Sequence, residues 1–257
     1  MSARHRCTLA WFTALAILLA SCATAGLVES VESLLRQGKE LFEAKRYDEA
    51  LAKFQEVIRR EPTSWVAWLY AARVHVAKVQ WAPAIDSGRK ALELATDKGE
   101  ATGLLAEALW GGGLESLQRG QYREAVDRFG GYLKLRAGDA RGYLNLGRSH
   151  LGAGGFREAL DALVRGLTEA RDAGTRHELA QTLLDGGRRA LAGSDFRSAV
   201  GFLGEYVRVN PTDVSALLDL GRAHWQAGQR VDALGVFRRV LELAPGNVEA
   251  LRFLRGE

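Results

Sequence analysis

Six alanines recur along the chain within nearly identical local sequences. They are Ala50, Ala84, Ala125, Ala159, Ala199 and Ala233. Successive alanines are separated by 34, 41, 34, 40 and 34 residues. A 34-residue unit is the length of one helix-turn-helix element, and because such an element cannot bury its own apolar face, it stacks on its neighbours. The period therefore predicts a solenoid, which offers a long surface for contact.

The residues around each alanine follow one pattern. The first copy carries Gly38, Tyr47, Ala50, Phe54 and Pro62. These residues match the tetratricopeptide repeat, in which a small residue at position 8, an aromatic residue at 17, alanine at 20, a large apolar residue at 24 and proline at 32 recur. The chain therefore resembles that family along most of its length.

The resemblance implies an all-α fold, a right-handed superhelical solenoid. On the family's numbering, six repeats cover residues 31–64, 65–98, 106–139, 140–173, 180–213 and 214–247. Residues 248–257 are expected to form a C-terminal cap helix. The small residues at positions 8 and 20 are expected to let the two helices of each repeat approach closely.

A second period indicates that the repeats come in pairs. Similar five-residue sequences end in His75, His150 and His224, and these histidines lie 75 and 74 residues apart. Three units of two repeats each are predicted. Six or seven additional residues near 99–105 and 174–179 precede the third and fifth repeats, and we expect them to lengthen an adjoining helix.

Residues 1–21 have the features of an export signal. Arg4 and Arg6 precede an apolar run that is too short to span a bilayer comfortably. The run ends in Leu19-Ala20-Ser21-Cys22, which resembles the lipobox of bacterial lipoproteins. The resemblance implies cleavage before Cys22, lipidation of that cysteine, and a short tether over 22–30. An ordinary signal peptide that contains a cysteine is the alternative.

Because alanine and not aspartate follows Cys22, the lipoprotein resemblance implies an outer-membrane lipoprotein that faces the periplasm. Cys7 would be lost with the signal, which leaves no free thiol for a disulfide, a metal or a nucleophile. Removing 1–21 lowers the net charge from +4 to +2, with 33 basic and 31 acidic side chains. A charge this close to balance argues against nucleic acid as a partner.

The sequence contains no evident catalytic or cofactor-binding constellation. His75, His150 and His224 occupy equivalent positions in alternate repeats, so stacking should hold them too far apart to share a metal. We interpret them as packing residues. Gly111, Gly112 and Gly113 fall within a helix and not after a strand, which favours close helix contact over a phosphate-binding loop. Three successive helical glycines also make a soft joint an open alternative.

A stripe on the first helices is the candidate binding site. Positions 5, 9 and 12 share one helix face, and in this family the first helices line the concave side. The predicted groove residues are Lys39, Arg73, Arg148, Arg188, Arg222, Leu69, Trp110, Leu144, Leu184, Leu218 and Trp225. Basic side chains between apolar flanks would suit a peptide that carries apolar anchors and carboxylates.

An alternative for this stripe stays open. Arginine at position 9 can simply be common in arginine-rich chains of this family, and the leucines at position 5 can pack against the next repeat. Asp185 and Asp219 at position 6 would offset the charge locally.

These features predict a non-enzymatic scaffold that binds a protein segment of an envelope complex, with membrane attachment through Cys22 and no metal or cofactor. A lipoprotein with six such repeats resembles the pilotins that support secretin assembly in type IV pilus systems. Adaptors of cell-wall hydrolases, outer-membrane protein assembly factors and gliding-motility complexes share the architecture. A cell-wall hydrolase is the competing enzymatic hypothesis, and it would need a nucleophile or an acid–base pair in a pocket.

Overall fold

The computed structural model describes residues 29–256. The cysteines and the lipobox-like sequence lie outside this range. The described residues form thirteen α-helices and no strand: α1 Val31–Glu43, α2 Tyr47–Arg60, α3 Trp65–Ala77, α4 Trp81–Leu94, α5 Gly99–Gln118, α6 Tyr122–Leu135, α7 Ala140–Ala153, α8 Phe156–Glu169, α9 Ala173–Ala192, α10 Phe196–Val209, α11 Val214–Gln226, α12 Arg230–Leu243 and α13 Val248–Arg255. The predicted all-α fold class is confirmed.

Successive helices pair into six helix-turn-helix repeats, and α13 packs on α12 after the last repeat. Helices α5 and α9 contain 20 residues each, whereas the other helices of the repeats contain 13 or 14. The additional residues that precede the third and fifth repeats thus lie in the first helices of those repeats, one turn or more before the repeat pattern begins.

Small residues hold the two helices of each repeat in close contact. A Cβ atom added to Gly38 would lie 2.6 Å from the ring of Phe54, and one added to Gly221 would lie 2.5 Å from Phe237. Ala50 is fully buried in the same helix contact. Because core atoms cannot approach this closely without displacement, these positions require glycine or another small residue.

The turn inside every repeat uses a left-handed residue. The residues with positive φ at this position are Lys45, Val79, Gly120, Gly154, Ser194 and Gly228. In the second repeat, the left-handed residue is Val79, and the N–H of Gln80, which follows it, donates to the carbonyl of His75 at 2.8 Å. This six-residue closure is the Schellman motif, and its left-handed residue normally is glycine. The turn ends the first helix and directs the second helix back along it.

The first helices form the inner layer of the solenoid. Consecutive first helices contact each other throughout the array, from α1 with α3 to α9 with α11. Within residues 29–256, α8 and α10 are the one pair of consecutive second helices in comparable contact. The side formed by the first helices is therefore the shorter, concave side, and residues that face away from the second helices line a groove.

Candidate binding groove

The basic side chains predicted for the groove lie on its surface. The side chains of Arg73, Arg148, Arg188 and Arg222, which we call the arginine ladder, are between 32% and 46% exposed. They project from the first helices α3, α7, α9 and α11. Their position agrees with the predicted stripe, but their contacts differ from those of an open cationic surface.

The first two ladder arginines pair with acids from the lengthened helices. Arg73 on α3 forms an ion pair with Glu100 near the start of α5. Arg148 on α7 pairs with Glu178 on α9 at 3.2 Å. Both acids belong to the residues inserted before a repeat, so the insertions provide partners for the preceding repeat.

The other two ladder arginines converge on one acid. The carboxylate of Asp219, which is 8% exposed, lies 2.9 Å from Arg188 Nε and 3.1 Å from Arg222 Nη1. Arg222 also donates two hydrogen bonds to Glu249 on α13. The hydrogen bond from Arg222 lowers the pKa of Glu249 and outweighs the effect of burial. The offsetting role expected of Asp219 is present in the structure.

The ladder is therefore a set of links between successive repeats. Each arginine bonds to a carboxylate of the next first helix or of the cap helix. A partner carboxylate would have to share the guanidinium group with this internal acid, so the ladder is not the free cationic row that the sequence pattern predicts. Lys39 differs, since its ammonium group lies over the Tyr70 ring, 5.0 Å from the centroid.

Three predicted groove leucines are core residues. Leu69, Leu144 and Leu184 are 1%, 3% and 6% exposed. They pack between repeats, as the alternative interpretation of position 5 stated, and their assignment to the groove lining was wrong. The fourth, Leu218, is half-buried in the cluster around Phe237.

The two predicted groove tryptophans have different surroundings. The ring of Trp225 packs against Phe253 of α13, with centroids 5.0 Å apart, and the guanidinium of Arg230 lies 3.6 Å from its centroid. These contacts occupy Trp225 within the protein. The ring of Trp110 packs against Tyr132, with centroids 5.0 Å apart, and also borders an open hollow.

Two hollows adjoin each other in the amino-terminal half of the groove. The first has a volume of about 380 Å³, and its apolar lining consists of Phe42, Val76, Ala77 and Leu104. We call it the apolar hollow. Arg73 and Glu100, which form an ion pair, also line it, and so does Glu107.

The second hollow lies on the other side of Glu107 and has a volume of about 420 Å³. Trp110 and Tyr132 form its aromatic wall, and Arg136 and Arg141 contribute guanidinium groups. We call it the arginine hollow. The sequence pattern singled out Trp110 here, but Arg136 and Glu107 lie outside the three positions of the stripe and were missed.

A family model for the tetratricopeptide repeat matches residues 35–101, 111–175 and 184–248. The chain belongs to the tetratricopeptide repeat family. Each matched segment spans two of the six repeats. A comparison with curated proteins found no match.

Solved structures of tetratricopeptide repeat proteins resemble the chain. YrrB, described as a TPR protein with an unusual peptide-binding site, is 17% identical over 90% of this chain and 95% of its own, with a TM-score of 0.38. MamA from Desulfovibrio magneticus RS-1 is 14% identical over 85% of this chain and 97% of its own, also with 0.38.

Naa15/Naa10 bound to HypK-THB also resembles the chain. It is 16% identical over 89% of this chain and 34% of its own, with a TM-score of 0.52. At this identity, the likeness shows the fold alone.

The histidines of the even repeats brace the turn between the two helices. The Nδ1 atoms of His75 and His224 lie 2.9 and 2.6 Å from the side-chain oxygens of Gln80 and Gln229, each of which precedes a second helix. Burial lowers the pKa of His150. Within residues 29–256, no group of three or more His, Cys, Asp and Glu side chains could hold a metal ion. The contacts of His75 and His224 thus lie within their own repeats, as expected for structural residues of the tetratricopeptide repeat.

The three successive glycines of α5 lie where the neighbouring helices α4 and α6 approach α5 closely. A Cβ atom at Gly111 would lie 2.4 Å from the Trp81 ring, and one at Gly113 would lie 2.8 Å from Phe129. Close helix contact, the favoured interpretation, is thus observed, and the helix runs through the triplet without a break. No helix within the described range 29–256 is long and apolar enough to cross a membrane.

Proposed function

We propose that this tetratricopeptide repeat protein is a lipid-anchored periplasmic scaffold whose groove holds a segment of another envelope protein. The observation that carries the proposal is the pair of adjoining hollows on the concave face. Each has a volume within the range of about 300–1,000 Å³ that is typical of ligand sites. A segment lying along the groove would place neighbouring side chains in both.

The apolar hollow provides the anchoring part of this site. Side chains from α1, α3 and α5 form it, so three successive repeats contribute to one concavity. Burying one partner side chain of the size of leucine or phenylalanine there would contribute about 1.5–3 kcal/mol. YrrB, whose description mentions a peptide-binding site, shares the repeat type, and the present proposal assigns a peptide to this chain on the basis of the hollows.

The envelope location is the second part of the proposal. It rests on the basic start, the apolar run and the lipobox-like sequence that ends in Cys22. Lipidation there would place the first repeat near the outer membrane, because the tether over 22–30 is short. Assistance to secretin assembly, as in the pilotins, stays a prediction within this wider role, and so do the other envelope adaptor roles.

A photo-crosslinking experiment tests the groove. We would place a photoreactive amino acid at Ala77, which lines the apolar hollow, and as a matched control at Gln55, which is exposed on α2 of the outer layer. In intact cells, a discrete crosslinked protein is expected from position 77 and not from position 55. Equal adducts from both positions, or none from position 77, would argue against a groove-bound partner.

Localisation is tested separately with Cys22→Ser. The variant is expected to accumulate as an unprocessed precursor and to leave the outer-membrane fraction, whereas the parent chain is labelled by a radioactive fatty acid. Normal fractionation of the variant would remove the lipoprotein part of the proposal and leave the groove untouched. Digestion of purified cell wall by the full chain would favour the enzymatic alternative.

A further inference from the structure

The internal ion pairs decide which cations in the groove remain open to a partner. Every ladder arginine has a carboxylate partner within the chain. In the part of the chain that the structure describes, Arg136 and Arg141 form no ion pair. Both are exposed and line the same hollow. A pair of cations without an acid partner therefore lies where the third repeat meets the fourth.

One acid of the arginine hollow is already engaged by its own helix. Asp139 accepts a hydrogen bond from the Tyr132 hydroxyl and others from the backbone N–H groups of Arg141 and Gly142. It caps the amino terminus of α7, where backbone dipoles favour a negative charge. Its charge is thus offset by α7 itself. Arg141 Nε donates a long hydrogen bond of 3.4 Å to the Thr175 hydroxyl. The other N–H groups of Arg141 and the guanidinium of Arg136 have no carboxylate partner within residues 29–256 and can bind an added carboxylate.

The apolar hollow lies next to this cationic site. Its border charges, Arg73 and Glu100, neutralise each other. Glu107, which is exposed and unpaired within residues 29–256, stands between the two hollows. A carboxylate placed over Glu107 would be repelled, whereas one placed beyond it would meet Arg136 and Arg141.

We infer that the bound segment carries an apolar side chain for the apolar hollow and a carboxylate for Arg136 and Arg141, with no acidic residue between them. This inference rests on the proposed function, since it names the partner chemistry of the same groove. It moves the recognition of carboxylates from the arginine ladder to the arginine hollow. Arginine suits this task because its planar fork can bind a carboxylate through two hydrogen bonds.

A peptide array tests the inference with the full chain. Each peptide has a Gly/Ser background with one phenylalanine and one glutamate, placed at every separation and in both orders. Matched peptides carry glutamine for glutamate or alanine for phenylalanine. We expect binding over a narrow range of separations, a loss of about tenfold or more on the change to glutamine, which corresponds to about 1.4 kcal/mol, and a similar loss without phenylalanine.

Two variants assign the carboxylate preference to its site. Arg136→Gln combined with Arg141→Gln should bind the glutamate and glutamine peptides equally while it keeps the preference for phenylalanine. Arg148→Gln, which alters a ladder arginine outside both hollows, is the matched control and should keep the full preference for glutamate. Circular dichroism and thermal melting verify that both variants are folded.

The outcomes separate this inference from the proposed function. Loss of the glutamate preference in Arg148→Gln, or its survival in the double variant, would overturn the inference. Equal binding of the glutamate and glutamine peptides by the parent chain would also overturn the inference, but it would be consistent with a groove that binds apolar segments. Failure of every peptide to bind would also overturn it, and the crosslink from position 77 then decides the proposed function independently.

Discussion

The Tyr206 hydroxyl donates a hydrogen bond of 2.8 Å to the Asp213 carboxylate, and that carboxylate also accepts from the backbone N–H of Ala216. One acid thus caps α11 and ties it to the end of α10. Tyr132 and Asp139 repeat this arrangement one pair of repeats earlier. The two tyrosines recur with the 74-residue period of the odd repeats, so the motif joins the two repeats inside a unit.

Removing this hydroxyl should weaken the joint moderately. We expect Tyr206→Phe to lower the free energy of unfolding by about 1 kcal/mol, the usual net value of one hydrogen bond, because the ring packing is kept and Asp213 still caps α11. Urea unfolding measures the change. Tyr143, which is half-buried, has a hydroxyl without a hydrogen-bond partner among residues 29–256. Tyr143→Phe should therefore have a smaller effect, and equal losses would contradict the assignment.

Two glycines on facing helices should respond in opposite directions to alanine. A Cβ atom at Gly113 meets the buried ring of Phe129 at 2.8 Å, whereas one at Gly130 meets nothing within 4 Å. Gly113→Ala should destabilise the protein by about 1–3 kcal/mol through overpacking. Gly130→Ala should stabilise it by about 0.5–1 kcal/mol, because alanine favours the helix. Thermal melting of both variants checks the pair, and a stabilising Gly113→Ala would refute the close contact.

The repeat pattern predicted the fold because each residue type has a local physical role that repeats. Gly38 and Ala50 are small for one reason, close helix approach, and this reason does not depend on distant parts of the chain. The burial of each residue in the stacked array, in contrast, depends on how neighbouring repeats pack. Leu69 shares a helix face with Arg73, yet stacking buries the former at 1% exposure and leaves the latter partly exposed.

The site was less predictable because it depends on residues outside the repeat pattern. Glu100 and Glu178 lie in the inserted residues, and their direction became known only when these residues continued α5 and α9 as helix. Arg136 follows the last turn of a second helix and reaches the groove beside Trp110. The charge-offsetting role of Asp219 could be predicted from the sequence, because position 6 of one repeat lies beside position 9 of the preceding repeat.

Replacement of one turn residue in the second repeat should stabilise the protein. Val79 has φ of 57° and is 61% exposed, whereas three of the equivalent turn positions carry glycine. A β-branched residue is disfavoured in this conformation by about 1–2 kcal/mol. We expect Val79→Gly to raise the unfolding free energy by about 0.5–1 kcal/mol after the added flexibility of the unfolded chain is included. Val231→Gly, an exposed valine within α12, should do the reverse in the same melting experiment.

The shared acid of the arginine ladder should be sensitive to the loss of its partners. Arg188→Gln combined with Arg222→Gln would leave the Asp219 carboxylate nearly buried without its two cations. We expect a loss of about 1–3 kcal/mol, below that of a fully buried pair because both arginines are partly exposed. Adding Asp219→Asn should recover part of the stability by removing the unpaired charge. No loss in the double variant, or no recovery in the triple one, would show that Asp219 does not depend on the arginines.

The link between the last repeat and the cap helix should depend on pH. Hydrogen bonding from Arg222 lowers the pKa of Glu249 in the folded state. A carboxyl with a lowered folded pKa stabilises the fold above its unfolded pKa of about 4.3 and loses this contribution as the pH falls through the folded value. The parent chain should therefore melt at a higher temperature than Glu249→Gln at pH 7, and the difference should fade below about pH 4. Glu61→Gln alters an exposed acid that forms no ion pair within residues 29–256 and is the control; a difference for Glu249→Gln that persists or grows at acid pH would contradict the role of this ion pair.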